Sequence, residues 1–292
     1  MRMGLLTRNP RAWCSFQLIK AMERRDVEPI SFRFSDLSAR VSCKPEVTLN
    51  GHLDLVKELG ALIVRPIGRG SLDEIIFRLD LLHRLERLGL PIINPPSSIE
   101  RAVDKYYALT LMEERGIPVP RTVVTESVKG AMDAFYELGG DVVVKPLFGS
   151  RGIGITRVSD PEVAGRVFRS LQFVHHVLYV QEFIPHGTRD IRAFVVGDRV
   201  VAAMYRVAEG WKTNVSQGAK PIPLRPKREL EELSVGAVKA LGCVVAGVDV
   251  LEGPGGYLVS EVNSQPGFQG LQSTTLVDIA GKIVDYILTN IC

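Results

Sequence analysis

Short apolar runs alternate with segments of helical period along the first third of the chain, a pattern that restricts it to layered sheet and helix. The apolar runs fall at residues 3–7, 30–34 and 61–65, with a helical segment at 15–25 between the first two. Residues 72–88 then place Leu72, Ile75, Ile76, Leu79, Leu82, Leu85 and Leu88 on one stripe, which predicts a helix lying on a sheet. A short strand at 92–94 runs into Pro95-Pro96, where amide donors are lost and the backbone is fixed. An open α/β lobe is therefore expected over residues 1–97.

Two further lobes follow. Residues 98–184 read as a helix (98–115), then strands at 122–125 and 142–145, near Ile155 and at 177–181, with helices at 127–138 and 160–171. Glu182 to Pro185 has the character of a linker. Residues 185–292 open with a hairpin, 191–196 and 199–205, turned at Gly197-Asp198, a dipeptide suited to positive φ. A helix (228–241), two strands (244–251 and 257–262) joined through Pro254-Gly255-Gly256, and a closing helix (274–291) complete the chain. The fold class is mixed α/β, and 292 residues are enough for two or three such units.

Composition excludes several functions. Apolar residues are 46% of the chain and charged residues 24%, and no run approaches the ~20 apolar residues of a membrane span, so a soluble, cytoplasmic protein is expected. The apolar stretch between Arg2 and Arg8 is too short for a signal peptide and reads as a first strand. With 36 basic against 33 acidic side chains the formal charge is only +3, so nonspecific nucleic-acid binding is not indicated. The arginines from Arg84 to Arg87 alternate with leucines as the wet side of an amphipathic helix does. Cys14, Cys43, Cys243 and Cys292 are far apart and suggest neither a zinc site nor a disulfide framework. His175 and His176 are adjacent and on a strand would point to opposite sides, which is unsuited to a shared metal.

Two constellations carry chemistry. Glu261 and Asn263 are two apart and share a strand face, and a turn centred near Gly255 sets Asp249 opposite Glu261. Carboxylates so placed repel and are costly to desolvate unless a cation compensates, for which hard, oxygen-seeking magnesium is suited; the alternative is an acidic pair on a solvated strand. In the second, Lys145 ends the apolar run 142–144 and leads into a loop containing Gly149, Ser150, Arg151, Gly152 and Gly154. A positive charge beside approachable amides is what a polyphosphate requires, although an ordinary hairpin has the same glycines.

The ordered series Lys105, Lys145 with its glycine loop, Gln181-Glu182-Phe183-Ile184, Asp190-Ile191-Arg192, Lys212-Thr213-Asn214, Asp249 and Glu261-Val262-Asn263 resembles the ATP-grasp superfamily, specifically its RimK-type glutamate ligases. Residues 98–290 carry the likeness. Ala12 to Ser15, Val64 to Ser71 and Asn94-Pro95-Pro96 extend its flavour into the first lobe.

The resemblance implies an ATP-grasp fold, with ATP (or GTP) held between a central lobe (98–184) and a C-terminal lobe (185–292). It implies that Lys105 and Lys145 neutralise phosphates under a lid formed by the glycine loop, that Gln181 to Ile184 meet adenine largely through backbone groups, and that Asp190 meets a ribose hydroxyl. Arg192, Lys212, Thr213 and Asn214 would face the transferred phosphate. Asp249, Glu261 and Asn263 would hold two Mg2+ or Mn2+ ions. It further implies L-glutamate and a carboxylate acceptor as substrates, the acceptor a pterin, tetrahydromethanopterin, before a glutamylated deazaflavin coenzyme or a protein C-terminus. A homo-oligomer is implied too, and a non-catalytic ATP-binding module is the rival class.

Simpler readings stand beside these: Arg192 pairing with Asp190, Phe183 as a core aromatic, Lys105 as a solvated helix lysine, and Cys14 beside Trp13 as a buried thiol. Two departures bear on substrate. Lys212 stands where many relatives have arginine, and Asn263-Ser264-Gln265-Pro266-Gly267 replaces Asn-Ala-Ser-Pro-Gly.

Overall fold

The computed structural model describes residues 1–149, 152–213 and 218–291. Ser150, Arg151 and Asn214, expected at the site, lie outside the described residues. The N-terminal strands β1 (Arg2–Leu6) and β2 (Glu28–Phe32) are parallel and are separated by helix α1 (Trp13–Glu23). A small antiparallel sheet follows, of β3 (Leu37–Ala39), β4 (Val47–Leu49) and β5 (Leu53–Asp54), and then the single-turn α2 (Leu55–Glu58). Its strands are too short to show a period, and the sequence reading has no counterpart for them. Strands β6 (Ala61–Val64) and β7 (Ile92–Ile93) complete a parallel sheet of order β2-β1-β6-β7.

Helix α3 (Leu72–Arg87) starts with a capping box, in which the Ser71 hydroxyl accepts from the Glu74 amide (3.2 Å) and the Glu74 carboxylate from the Ser71 amide (3.0 Å). Only its second half lies on the core. Leu82 and Leu85 are fully buried, whereas Leu72 and Ile76, read as part of the same stripe, are 75% and 49% exposed because the first turns overhang the sheet.

The helix expected over 98–115 is two. Asp104 adopts an extended ψ of 105° between α4 (Pro96–Val103) and α5 (Lys105–Glu113), and its carboxylate caps α5 by accepting from the Tyr107 amide at 3.0 Å. That break makes Lys105 the first residue of a helix. Ala102, Ala108, Leu109 and Met112 then pack in the core beneath the C-terminal sheet, which Tyr179 of the central lobe also enters.

The central sheet, order β10-β9-β11-β8, comprises β8 (Thr122–Thr125), β9 (Val142–Lys145), β10 (Thr156–Val158) and β11 (Leu178–Glu182), covered by α6 (Val128–Glu137) and α7 (Pro161–Phe173). Phe135, Phe168, Val142, Val144 and Val180 form its own core.

The C-terminal sheet, order β14-β13-β12-β15-β16, comprises β12 (Arg189–Val196), β13 (Arg199–Val207), β14 (Lys220–Leu224), β15 (Val245–Gly253) and β16 (Gly256–Asn263). Strand β14 was not expected, since Pro221 and Pro223 cannot donate to a ladder; it is tolerated because it lies at an edge. One face, with Ile191, Ala193, Val195, Val248, Val250, Val259 and Val262, packs under α8 (Arg228–Leu241) and α5.

The other face is divided. Its apolar half, Phe194, Val196, Ala202, Met204 and Val245, shares a core with Met3, Leu5 and Leu18 of the N-terminal lobe and with Ile283 and Val284 of α10 (Ile279–Asn290). The closing helix is thus shorter than 274–291: a turn, α9 (Gln269–Gln272), precedes it, and Asp278 caps α10 at Gly281 (3.0 Å). Buried Asn94 fastens the two lobes, accepting from the Val244 and Val245 amides (2.7 and 2.8 Å) and donating to the Val245 and Ser264 carbonyls. Among the described residues, no helix is long and apolar enough to cross a membrane.

Candidate active site

The charged half of that divided face begins with Asp190 and Arg192, two apart on β12 and therefore on one side. Their neighbours across the sheet are Arg206 opposite Asp190, Asp249 opposite Arg192, and Glu261 opposite Asp249, with Asn263 opposite Gly247. Gly247 is closely covered, since a Cβ there would lie 3.0 Å from the Arg192 guanidinium and 3.1 Å from Pro266 and would displace one of them.

The Asp249–Glu261 pairing is the expected one, reached by a different route. From the turn, Gly253 pairs with Gly256 and Val250 with Val259, a register that continued would set Asp249 against Ser260. A bulge intervenes, leaving Ser260 extra, and the pairing resumes as Asp249 with Glu261. Without it Glu261 would share the core face with Val259, because a slip of one residue exchanges the two faces. The Val259 amide donates to the Pro118 carbonyl at 2.8 Å, pinning the strand beside the bulge.

Asp190, Arg206, Asp249 and Arg192 form one buried network. Arg206 donates to both oxygens of Asp190 (2.7 and 2.5 Å) and lies 3.2 Å from Asp249 Oδ2, to which Arg192 also donates at 2.8 Å. Burial alone would lower the Arg206 pKa and raise that of Asp249; the opposite charges outweigh it, holding the guanidinium above and the carboxylate below their usual values. Arg192 thus pairs with Asp249, not Asp190. Both oxygens of Asp190 accept from Arg206, and the residue is 5% exposed, so a ribose hydroxyl would have to share those oxygens with the guanidinium. Nothing in the sequence marks Arg206 among the chain's basic residues; only strand register does.

Glu261 is less enclosed. Lys105 Nζ lies 3.9 Å from it and donates to the Gly149 carbonyl at 3.0 Å, joining the start of α5 to the glycine loop. Lys145, at the end of β9, donates to Gln181 Oε1 at 2.6 Å, and Gln181 is oriented by donating to the Thr122 hydroxyl (2.8 Å) and the Tyr179 hydroxyl (3.1 Å). Burial pushes the Lys145 pKa down to about 8, Glu261 opposing and Lys105 reinforcing the change. Gly152 and Gly154 have φ of 71° and 79°, the left-handed region that lets the loop fold back toward Pro146.

Adjoining residues shape the other end of the cleft. The Glu182 carboxylate is engaged by the Arg121 amide and guanidinium (both 2.8 Å), and the Glu182 and Phe183 amides donate to the Arg121 and Asp141 carbonyls. Phe183 lies under the Arg157 guanidinium (3.5 Å to the ring centre) and edge-on to Trp211 (5.9 Å), so it is not a core residue. Ile184 is buried beside Gly253. Lys212 is exposed and sits over Trp211 (5.4 Å), while Thr213 is buried. Trp211, Arg157 and Arg121 escaped the sequence reading; an aromatic beside Lys212 was the available signal. Cys14 accepts from the Phe268 amide at 3.4 Å and Arg65 donates to the Pro266 carbonyl at 2.9 Å, both from the N-terminal lobe to the loop after Asn263.

The oxygen donors fit a hard divalent cation. Glu261 and Asn263 share a face in adjoining positions, and the Asn263 amide nitrogen donates to Gly247 O at 3.5 Å, an orientation that turns its oxygen elsewhere. Asp249 adjoins them but is held by two guanidinium groups, with which a cation would compete. Accordingly, no cluster of three acidic, histidine or cysteine side chains is gathered among the described residues.

Comparison with known proteins gives a consistent answer. Residues 102–287 match the family model of the RimK-like ATP-grasp domain. The chain is 38% identical to the tetrahydromethanopterin:alpha-L-glutamate ligase of Methanococcus maripaludis, over 99% of this chain and 98% of that protein. It is 37% identical to the ligase of the same description from Methanocaldococcus jannaschii, with the same coverage. Among solved structures, the ATP-grasp ligase PsnB complexed with its minimal precursor superposes with a TM-score of 0.78 at 20% identity, over 98% of each chain, a likeness of fold.

Proposed function

We propose that this chain, which belongs to the RimK-like ATP-grasp family and is an ATP-dependent ligase, adds L-glutamate to tetrahydromethanopterin. The family uses ATP with Mg2+. The single observation that most supports the reading is Glu261 set across the bulged hairpin from Asp249, within 3.9 Å of Lys105 and facing Lys145. Anionic oxygens and cations meet there as phosphoryl transfer demands. In this reading 1–97, 98–184 and 185–292 are the three lobes, with ATP between the second and third.

Lys105 and Lys145 bind the phosphates, the second held by Gln181, while the glycine loop excludes water. Phe183 and Trp211 border the base. Asp249, Glu261 and Asn263 would hold Mg2+, two ions in this reading, whose charge would offset that of the phosphates. A carboxylate oxygen of the acceptor attacks the γ-phosphorus and ADP leaves, giving an acylphosphate. The amine of L-glutamate then attacks the acyl carbon, phosphate departs, and the amine loses a proton to give the amide. Arg192 and Lys212 stabilise the transferred phosphoryl group, Arg192 by turning from Asp249.

Hydroxylamine in place of glutamate tests this. The acylphosphate should be intercepted as a hydroxamate, with ADP released, when tetrahydromethanopterin is the acceptor. Hydroxamate only with a glutamylated deazaflavin coenzyme or a protein C-terminus would replace the acceptor, and none with any of them would sink the reading as a ligase of these substrates.

A further inference from the structure

Three arginines stand around the acid face, and one of them differs from the others. Arg192 and Arg206 each lie against a carboxylate. Arg65, which the N-terminal lobe supplies just past β6, is only partly exposed, donates to the Pro266 carbonyl at 2.9 Å and forms no ion pair among the described residues. Burial draws its pKa below the usual guanidinium value, and what opposes the change is the Cys14 sulfur, a weak acceptor poorly matched to a planar fork. A cation withdrawn from water without a carboxylate beside it is costly, and that cost falls when an anion arrives.

Pro266 fixes where Arg65 stands relative to the chemistry. A Cβ added at Gly247 would lie 3.0 Å from Arg192 Nη1 and 3.1 Å from Pro266 Cβ, so Arg192 and Pro266 flank one residue of β15. Gly247 and Asp249 are two apart on that strand, hence on one face and about 7 Å from each other. Arg65 therefore reaches the acid face from the Gly247 side, whereas Lys105 adjoins Glu261.

The loop that Arg65 holds contains a second group in want of a partner. The side-chain amide nitrogen of Gln265, next to Pro266, is buried with no hydrogen-bond acceptor among the described residues. Open space adjoins the same turn, since a Cβ at Gly267 would meet no atom within 4 Å. A guanidinium with N–H groups to spare and a primary amide, both short of acceptors, match the oxygens of a carboxylate.

We propose that Arg65 and Gln265 seat a carboxylate of the incoming amino acid and so bring its amine to the acyl carbon at the acid face. The inference rests on the ligase reading above. In that reading L-glutamate reacts through its amine and keeps both of its carboxylates. The reacting carboxylate of the acceptor is instead consumed as the acylphosphate, and the phosphates meet Lys105 and Lys145.

Steady-state ligation by the full chain, with L-glutamate set against its two monoamides, tests the seat. L-glutamine lacks the γ-carboxylate and L-isoglutamine the α-carboxylate, and in the unaltered chain the amide at the seated position should lower kcat/KM at least about tenfold. Arg65→Met should raise the KM for L-glutamate at least about tenfold, hold the KM for ATP within about twofold, and erase the penalty of that same amide, which names the seated carboxylate. Gln265→Ser should shift the same quantities less, the KM for L-glutamate by about threefold. It decides by the same ratio should Arg65→Met lower the unfolding midpoint. No penalty from either amide, penalties that persist undiminished in the variants, or an unmoved KM for L-glutamate would overturn the proposal. The hydroxylamine assay needs no amino acid and keeps the two readings apart. No hydroxamate from the unaltered chain sinks the ligase reading and this one with it, whereas normal hydroxamate with persistent penalties sinks this one alone.

Discussion

The central lobe and the C-terminal sheet bring opposite charges to one cleft and are built in opposite ways. The central lobe packs around a core of its own, with Phe135 and Phe168 at its centre, and contributes Lys145. The C-terminal sheet is covered by helices on one face and by the N-terminal lobe on half of the other, and contributes the acids. Carboxylates that must stay ionised while buried need a fixed partner, and Arg206, which bonds Asp190 and lies 3.2 Å from Asp249, is carried by a buttressed sheet. A lysine that meets a substrate anion can be carried by a lobe that moves as a body.

That contrast can be broken experimentally. The largest effect is expected for Glu261→Ala, which should reduce ADP release in a coupled assay at least about a thousandfold with little change in unfolding midpoint; retention of a tenth of the activity would remove Glu261 from the chemistry. Arg206→Met should cost roughly 3–5 kcal/mol in urea unfolding because it strands Asp190 in the interior. The equivalent loss in the central lobe, Arg157→Met opposite half-exposed Asp141, should cost under about 1 kcal/mol. Equal costs would mean that the two regions are not differently built.

The Lys145 charge sharpens the comparison through pH. A lysine is charged below its pKa, so kcat/KM for ATP should fall as pH rises through about 8, and Lys145→Arg should remove that inflection while keeping a cation. A flat profile in the unaltered chain would show that Lys145 does not act as the phosphate's counter-charge. Gly154→Ala and Gly242→Ala, at φ of 79° and 74°, should each strain the backbone by about 1–2 kcal/mol, and they differ in where the strain is felt. The first, in the loop, should raise the KM for ATP and spare global stability; the second, the C-cap of α8, should do the reverse.

Sequence periodicity located β8, β9 and α8 almost to the residue, since each has a clear period and explicit ends. It failed where ends are set by side-chain chemistry or by neighbours. The Asp104 cap divides a segment of uninterrupted helical character, β14 exists because β13 offers it an edge, and β3 to β5 are held by each other. The site was legible in the same uneven way. Order along the chain pointed to Lys105, Lys145, Asp249, Glu261 and Asn263, all carried to the cleft. The occupants of their hydrogen bonds were not, because Arg206, Gln181 and Trp211 acquire their partners across strands and loops that local pattern does not encode.

The extra residue at Ser260 acts as a phase element. Drawing it into a regular ladder opposite Asp249 would leave every neighbour in order along the chain, yet β16 beyond that point would rotate by half a turn. Val262 would be delivered to the cleft, and Glu261 and Asn263 to the packing beneath α8. The stretch from Asp249 to Asn263 is therefore a single inherited unit: a hybrid enzyme that borrows this hairpin without its irregularity would keep the letters of the motif and lose its meaning.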